Sequence, residues 1–184
     1  LHDLGIEVID ERAYDIRRAG VETVWMYDFG LGFDAANIPD GDTLAERFCA
    51  AFRDVWAGQV DSDGFNALVL HGGLSSRAVA VVRAYSAYLR QAGTPFSQGY
   101  LQQVLRTNVG IVRLLEQLFA ARFDPEFAGD RADAEINVVD QINAELDKVA
   151  SLDHDRIMRA SMALVRATIR TNVYQRGSDG QPLS

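Results

Sequence analysis

Few side chains in this sequence have the types and spacings that do chemistry. Gly30-Leu31-Gly32 begins as a dinucleotide-binding turn does, where glycines let backbone N–H groups approach a pyrophosphate. A third glycine is missing and no helix follows directly, so the segment reads as a mobile loop. Asp61 and Asp63 flank Ser62, and Asp153 and Asp155 flank His154. Alternating acids open a calcium loop, but the further acids and the terminal glutamate that the loop needs are missing. Acids in the first turn of a helix are accounted for by the helix dipole alone. His2, His71 and His154 are scattered with no partner four residues away, so each reads as structural rather than as a metal ligand. Cys49 falls inside an apolar helical pattern and reads as an inert core thiol. These residues therefore predict no catalytic, metal or cofactor site.

The strongest site candidate is a ridge of cations. At about 100° per residue, Arg156, Arg159, Arg166 and Arg170 fall within about 80° of one another on a helix expected from Ser151 to about Tyr174. Ile157, Ser161, Leu164, Val165, Thr168 and Ile169 take the other side. Such a stripe on an acidic protein faces open water, an acidic surface of another domain or subunit, or a phosphate. Arginine is favoured in inter-domain and subunit contacts.

The elements that must position these residues differ along the chain. Ile6, Val8 and Ile9 read as a strand leaving a turn at Gly5, and Val21 to Phe29 as a second strand with Trp25, Tyr27 and Phe29 on one face. Gly20 between them predicts an antiparallel pair. Ile38 to Asp42 is a loop. Thr43 and Glu46 form a capping box for a helix with Leu44, Phe48, Ala51, Phe52 and Val55 on its apolar side, stopped at Gly58. From residue 62 onward only helices are expected. Ser62 or Asp63 caps a short one that ends at Gly72-Gly73. Ser75 or Ser76 caps the next, which ends at Gly93. Further helices run from Ser97 to Thr107, Asn108 to Phe123, about Ala132 to Val149, and Ser151 to about Tyr174. The fold class is thus mainly α: a short N-terminal antiparallel β element with one helix, then a bundle of about six helices. The domain division is 1–57 and 58–184.

Composition narrows the classes. A net charge of −8 argues against a nucleic-acid partner, which requires a basic face. No apolar run approaches the ~20 residues that a membrane helix needs. One cysteine excludes an internal disulfide and fits a reducing cytoplasm. The opening on Leu1 and the turn formers from Gly177 to Ser184 suggest a piece of a longer polypeptide.

A series of segments then carries a resemblance. They are Trp25-Met26-Tyr27-Asp28-Phe29-Gly30-Leu31, Ser62 to Leu70, Arg83 to Gln98, Ala121-Arg122-Phe123-Asp124-Pro125, Ser151 to Arg159, and Ile169-Arg170-Thr171-Asn172. In this order and at these separations they resemble the large, multidomain NAD-dependent glutamate dehydrogenases of bacteria, across nearly the whole chain. The resemblance implies that residues 1–57 are a partial ACT-like module and that residues 58–184 lead to a catalytic core beyond this chain. It implies a parent that oxidatively deaminates L-glutamate to 2-oxoglutarate and ammonia with NAD. The partners it implies are neighbouring domains of the same polypeptide and further copies of it.

Enzymes of this kind are similar in using lysine for substrate binding and catalysis. Lys148, the only lysine, lies among Glu145, Asp147 and Val149 and reads as solvated. No catalytic residue is carried over, and this segment is expected to be inactive. ACT-like modules often bind amino acids at strand interfaces, so Trp25, Tyr27 and Phe29 either line such a pocket or, the plainer expectation, pack on the helix 43–57. The alternative reading is a stand-alone helical scaffold or amino-acid-sensing module without enzymatic activity.

Overall fold

The computed structural model describes residues 1–33 and 41–176, with backbone alone at 41 and 42. A single 3₁₀ turn, His2–Leu4, ends at Gly5, whose φ of 77° is left-handed. This left-handed residue turns the chain into strand β1, Glu7–Ile16, which pairs antiparallel with β2, Val24–Gly32. A bulge lies between Val8 and Asp10. Among the described residues these two strands are the whole sheet, so both edges are unpaired. Apolar side chains stand exposed on both its faces, among them Val8, Ile9, Met26 and Trp25.

Seven α-helices follow among the described residues: α1 Gly41–Trp56, α2 Ala67–Gly72, α3 Ser76–Gln91, α4 Gln98–Thr107, α5 Val109–Phe123, α6 Arg131–Leu146 and α7 Leu152–Ala167. The mainly α architecture with an N-terminal antiparallel pair is as the pattern predicts. Ser75, Ser97 and Ser151 each accept a backbone N–H from three residues on, and Asp130 accepts two, so four helices begin at side-chain caps. Asp63 rather than Ser62 caps the turn before α2, accepting from the Phe65 N–H. Helix α1 starts at Gly41, so Thr43 lies inside its first turn rather than at the cap. The residues before Gly41, where that cap falls, and Gly177 to Ser184 lie outside the described residues.

The core is built around α2. Ala67, Leu68, Val69 and Leu70 are all buried, and a helix apolar all round must be enclosed. Helices α3, α4 and α5 surround it. Arg113 of α5 donates to the carbonyls of Gly72 and His71 at 2.7 and 3.0 Å, satisfying the free end of α2. Helices α5 and α6 pack along one another, with Ile142 and Leu146 fully buried.

Helix α7 corrects an expectation. It stops at Ala167, seven residues before Tyr174, with Thr168 extended at ψ 127°. No Gly or Pro marks this end. It is set by tertiary contacts: Arg122 donates to the carbonyls of Arg166 and Thr168, and the Thr168 hydroxyl meets the Tyr85 hydroxyl at 2.7 Å. Ile169, expected on the apolar side, is 87% exposed.

Candidate functional site

Gly30-Leu31-Gly32 is strand, not loop. The Gly30 N–H donates to Asp10 Oδ1 at 3.0 Å, and a Cβ on Gly30 would lie 2.4 Å from that oxygen. Glycine is needed for the bulge contact, and the carboxylate beside it would repel a pyrophosphate. These residues do not fit a dinucleotide. Cys49 is exposed on α1, against expectation, because the buried side of that helix runs through Ala51 and the half-buried Leu44, Phe48 and Phe52. Of the aromatic face on β2, Trp25 and Tyr27 are 59% and 52% exposed, so they do not pack on α1. Only Phe29 reaches that helix, lining a hollow with Phe52, Val55 and Trp56.

Asp63, Asp153, Asp155, His71 and His154 have structural partners, whereas His2 is exposed. Asp63 caps its own turn and receives Arg83 Nε at 2.8 Å and Nη2 at 3.0 Å. Arg83 also donates to Asn66 Oδ1 at 2.8 Å, and Asn66 in turn donates to the Asp61 carbonyl. This knot ties α3 to the segment before α2. Sequence reading names its members separately but gives no sign that they converge, because twenty residues separate Asp63 from Arg83. His154 meets Asn108 at 3.1 Å and the edge of the Tyr100 ring. The His71 ring packs against Gly5, where an added Cβ would come within 2.6 Å. Among the described residues, no three His, Cys, Asp or Glu side chains gather to hold a metal ion. Lys148 follows the end of α6 and pairs with Glu145 at 2.6 Å, exposed.

The cation ridge is shorter than its periodicity suggests. Arg170 lies beyond the end of α7 and leaves the stripe. The remaining three are exposed and lightly paired: Arg156 with Asp153 at 3.8 Å, Arg159 with Asp155 at 2.8 Å and Asp147 at 3.9 Å, and Arg166 with Glu135 at 4.0 Å. Glu135 is held mainly by Arg122, at 2.7 Å.

One partly open hollow has no counterpart in the sequence reading. Helices α3, α5 and α7, closed by Val173 and Tyr174, surround a cavity of about 180 Å³. Its walls are mostly apolar, but Arg77, Glu116 and Asp124 reach it. Burial pushes the Glu116 carboxyl above its ordinary value, and the Asp124 charge pushes the same way. The Tyr174 phenol is also raised, chiefly by burial, with the Asp124 and Glu116 charges adding and Arg77 opposing.

Fold and site together define a helix-rich region bearing an exposed β hairpin, in which partly buried charges tie helices to one another. Three family descriptions match it in succession: glutamate dehydrogenase ACT3 domain over residues 1–44, glutamate dehydrogenase helical motif 3 over 60–125, and bacterial NAD-glutamate dehydrogenase catalytic domain over 141–184. The last match begins within α6, earlier than the sequence reading places the catalytic region. The NAD-specific glutamate dehydrogenase of Mycobacterium tuberculosis is 39% identical over 181 residues, covering 95% of this chain and 11% of that protein. Those of Halomonas elongata and Pseudomonas aeruginosa are 37% and 35% identical, each covering 98% of this chain and 11% of the relative. The chain belongs to the large bacterial NAD-specific glutamate dehydrogenases and spans about a tenth of the length of these relatives, from the ACT3 domain through helical motif 3 into the start of the catalytic domain.

Proposed function

We propose that this chain is a non-catalytic regulatory and structural region of an NAD-dependent glutamate dehydrogenase, joining an ACT-like module to the catalytic core. The whole polypeptide then oxidises L-glutamate to 2-oxoglutarate and ammonia in the cytoplasm, with NAD as the hydride acceptor bound outside these residues. One observation carries the reading: three parts of the same enzyme family match in succession along 184 residues. The purified whole polypeptide should form NADH and ammonia in equal amounts when given glutamate and NAD. A preparation that is folded and yields neither would contradict the reading.

The same reading gives the α7 ridge a role. Arg156, Arg159 and Arg166 contact acidic groups of a neighbouring domain or of another copy in the assembled enzyme, and Arg170 follows on the extended segment after α7. Support comes from their exposure and from the distance of their present partners, three of which sit at 3.8 to 4.0 Å while Asp155 alone holds Arg159 closely, at 2.8 Å. Exposed pairs at such distances contribute only ~0–1 kcal/mol each, so these cations remain available to a second surface.

A further inference from the structure

We propose that Arg122 and Tyr85 form a clasp on the segment that follows α7, residues 168–174, and act as positioning residues for the dehydrogenase. This deepens the reading above and rests on it: the clasp fixes where the chain leaves α7 within the catalytic domain.

The two sides of the clasp belong to different parts of the family. Tyr85, Phe119 and Arg122 lie in the helical motif 3 match, and Arg166 to Tyr174 in the catalytic-domain match. Every contact between them therefore crosses from one part to the other.

The polar contacts gather at the end of α7, where the last helix carbonyls have no intrahelical partner. Arg122 Nη2 donates to the carbonyls of Arg166 and Thr168 at 3.0 and 3.3 Å. A cation there also complements the negative end of the helix dipole. Nη1 of the same guanidinium donates to both Glu135 oxygens at 2.7 Å, which fixes its direction. The Thr168 hydroxyl donates to the Leu164 carbonyl at 2.8 Å, so Tyr85 is the donor in their 2.7 Å contact. Burial, the largest influence on the Tyr85 phenol, pushes it above its ordinary value, so the proton it donates is retained at neutral pH.

Apolar contacts hold the far end. The Tyr174 ring stacks on the buried Phe119 with ring centres 6.1 Å apart, and the Tyr85 ring meets Phe119 edge-on at 6.2 Å. The segment is thus pinned at Thr168 and at Tyr174, while Ile169 between them is exposed. Residues 168–174 form neither helix nor strand, so side-chain contacts set their path. A misplacement of about 1 Å far from the chemistry can cost ~100-fold in rate, which gives such a clasp leverage.

The test uses the whole polypeptide and two readouts. Hydrogen exchange of the amides at 168–174 reports the clasp, and kcat against KM for glutamate and NAD reports positioning. Arg122→Met is combined with Glu135→Gln, so that no acid is left unmatched. This pair should speed exchange at 168–174 by about tenfold, as loss of charged hydrogen bonds requires. It should lower kcat at least about fivefold with each KM within about twofold of the parent, since the groups that bind substrate are untouched. Tyr85→Phe should speed exchange about fivefold in the parent but not in a Thr168→Val background, because both act on one contact. Gly5→Ala, which strains the first turn of the chain, should leave kcat within about twofold while the protein stays folded. That control separates positioning from general loss of stability. If circular dichroism shows the Arg122 pair unfolded, Tyr85→Phe takes over both readouts, with kcat expected to fall about threefold. Faster exchange with unchanged kcat, unchanged exchange, or an equal fall in kcat with Gly5→Ala would each overturn the inference. An unmodified polypeptide that forms no NADH would overturn the functional reading and this inference with it. An active parent with unimpaired variants would overturn this inference alone.

Discussion

The residue that holds most together is Arg83. Its guanidinium binds both Asp63 oxygens and Asn66, lies 5.8 Å from the Phe65 ring centre, and is only 17% exposed, as is its acid. Removing one partner of such a pair leaves the other charge partly buried and unmatched. Arg83→Met should therefore cost on the order of 3 kcal/mol, read as a lower denaturant midpoint at unchanged slope. Lysine should restore little, since it cannot reproduce the forked contact. A second prediction concerns pH. Glu116 carries a folded-state pKa above its ordinary value of 4.5. The native state thus holds this proton more tightly than the unfolded chain does. The resulting penalty is absent below about pH 4.5 and grows as pH rises through the raised value. Glu116→Gln removes it, so the variant should melt above the parent protein at about pH 8, and the difference should vanish near pH 4. An equal gain at both pH values would assign the effect to packing. Neither residue's role is written in the sequence, because Asp63 lies twenty residues from Arg83, and the burial of Glu116 comes from helices packed around it.

At the scale of elements, local signals were legible wherever the backbone itself demands a residue. The serine caps before α3, α4 and α7 and the left-handed glycines at 5, 73 and 93 fall where pattern reading puts boundaries. Boundaries set by tertiary contact were not legible. The end of α7 depends on Arg122 and Tyr85, and the α-helical periodicity of the sequence simply runs on past it. Cys49 on α1 is exposed rather than buried, because an apolar residue type does not say which side of a helix is covered. Gly5 gives a sharp test of the first turn. Its φ is 77°, and an added Cβ would collide with His71 of α2 at 2.6 Å. Gly5→Ala should cost at least about 1 kcal/mol in thermal unfolding, whereas Gly99→Ala, in open space inside α4, should stabilise by up to about 1 kcal/mol. On α7, Arg159→Glu with Arg166→Glu breaks only exposed pairs, so folding should change by no more than about 1–2 kcal/mol. The same double variant should weaken assembly of the whole enzyme, as measured by sedimentation. Unaltered assembly and turnover would reduce the ridge to a solvated face.

For the whole molecule, the division of labour follows from where its reactive groups are spent. The arginines at 83, 113 and 122 satisfy helix ends and partly buried acids. The one lysine is exposed beside Glu145, and the glycines that resemble a nucleotide turn belong to a β bulge. No helix among the described residues is long and apolar enough to cross a membrane. The order of segments along the chain makes the family legible in the sequence itself. What could not be read there is the hairpin, whose strands bare apolar side chains on both faces, since exposure belongs to the assembled surface rather than to a strand's own pattern. The central claim is that these 184 residues support a dehydrogenase without containing its chemistry. It is tested most directly by following NADH formation from L-glutamate and NAD with residues 1–184 alone beside the whole polypeptide at equal molar concentration. The whole polypeptide should turn over and residues 1–184 should show no rate above buffer. A measurable rate from residues 1–184 would contradict the account.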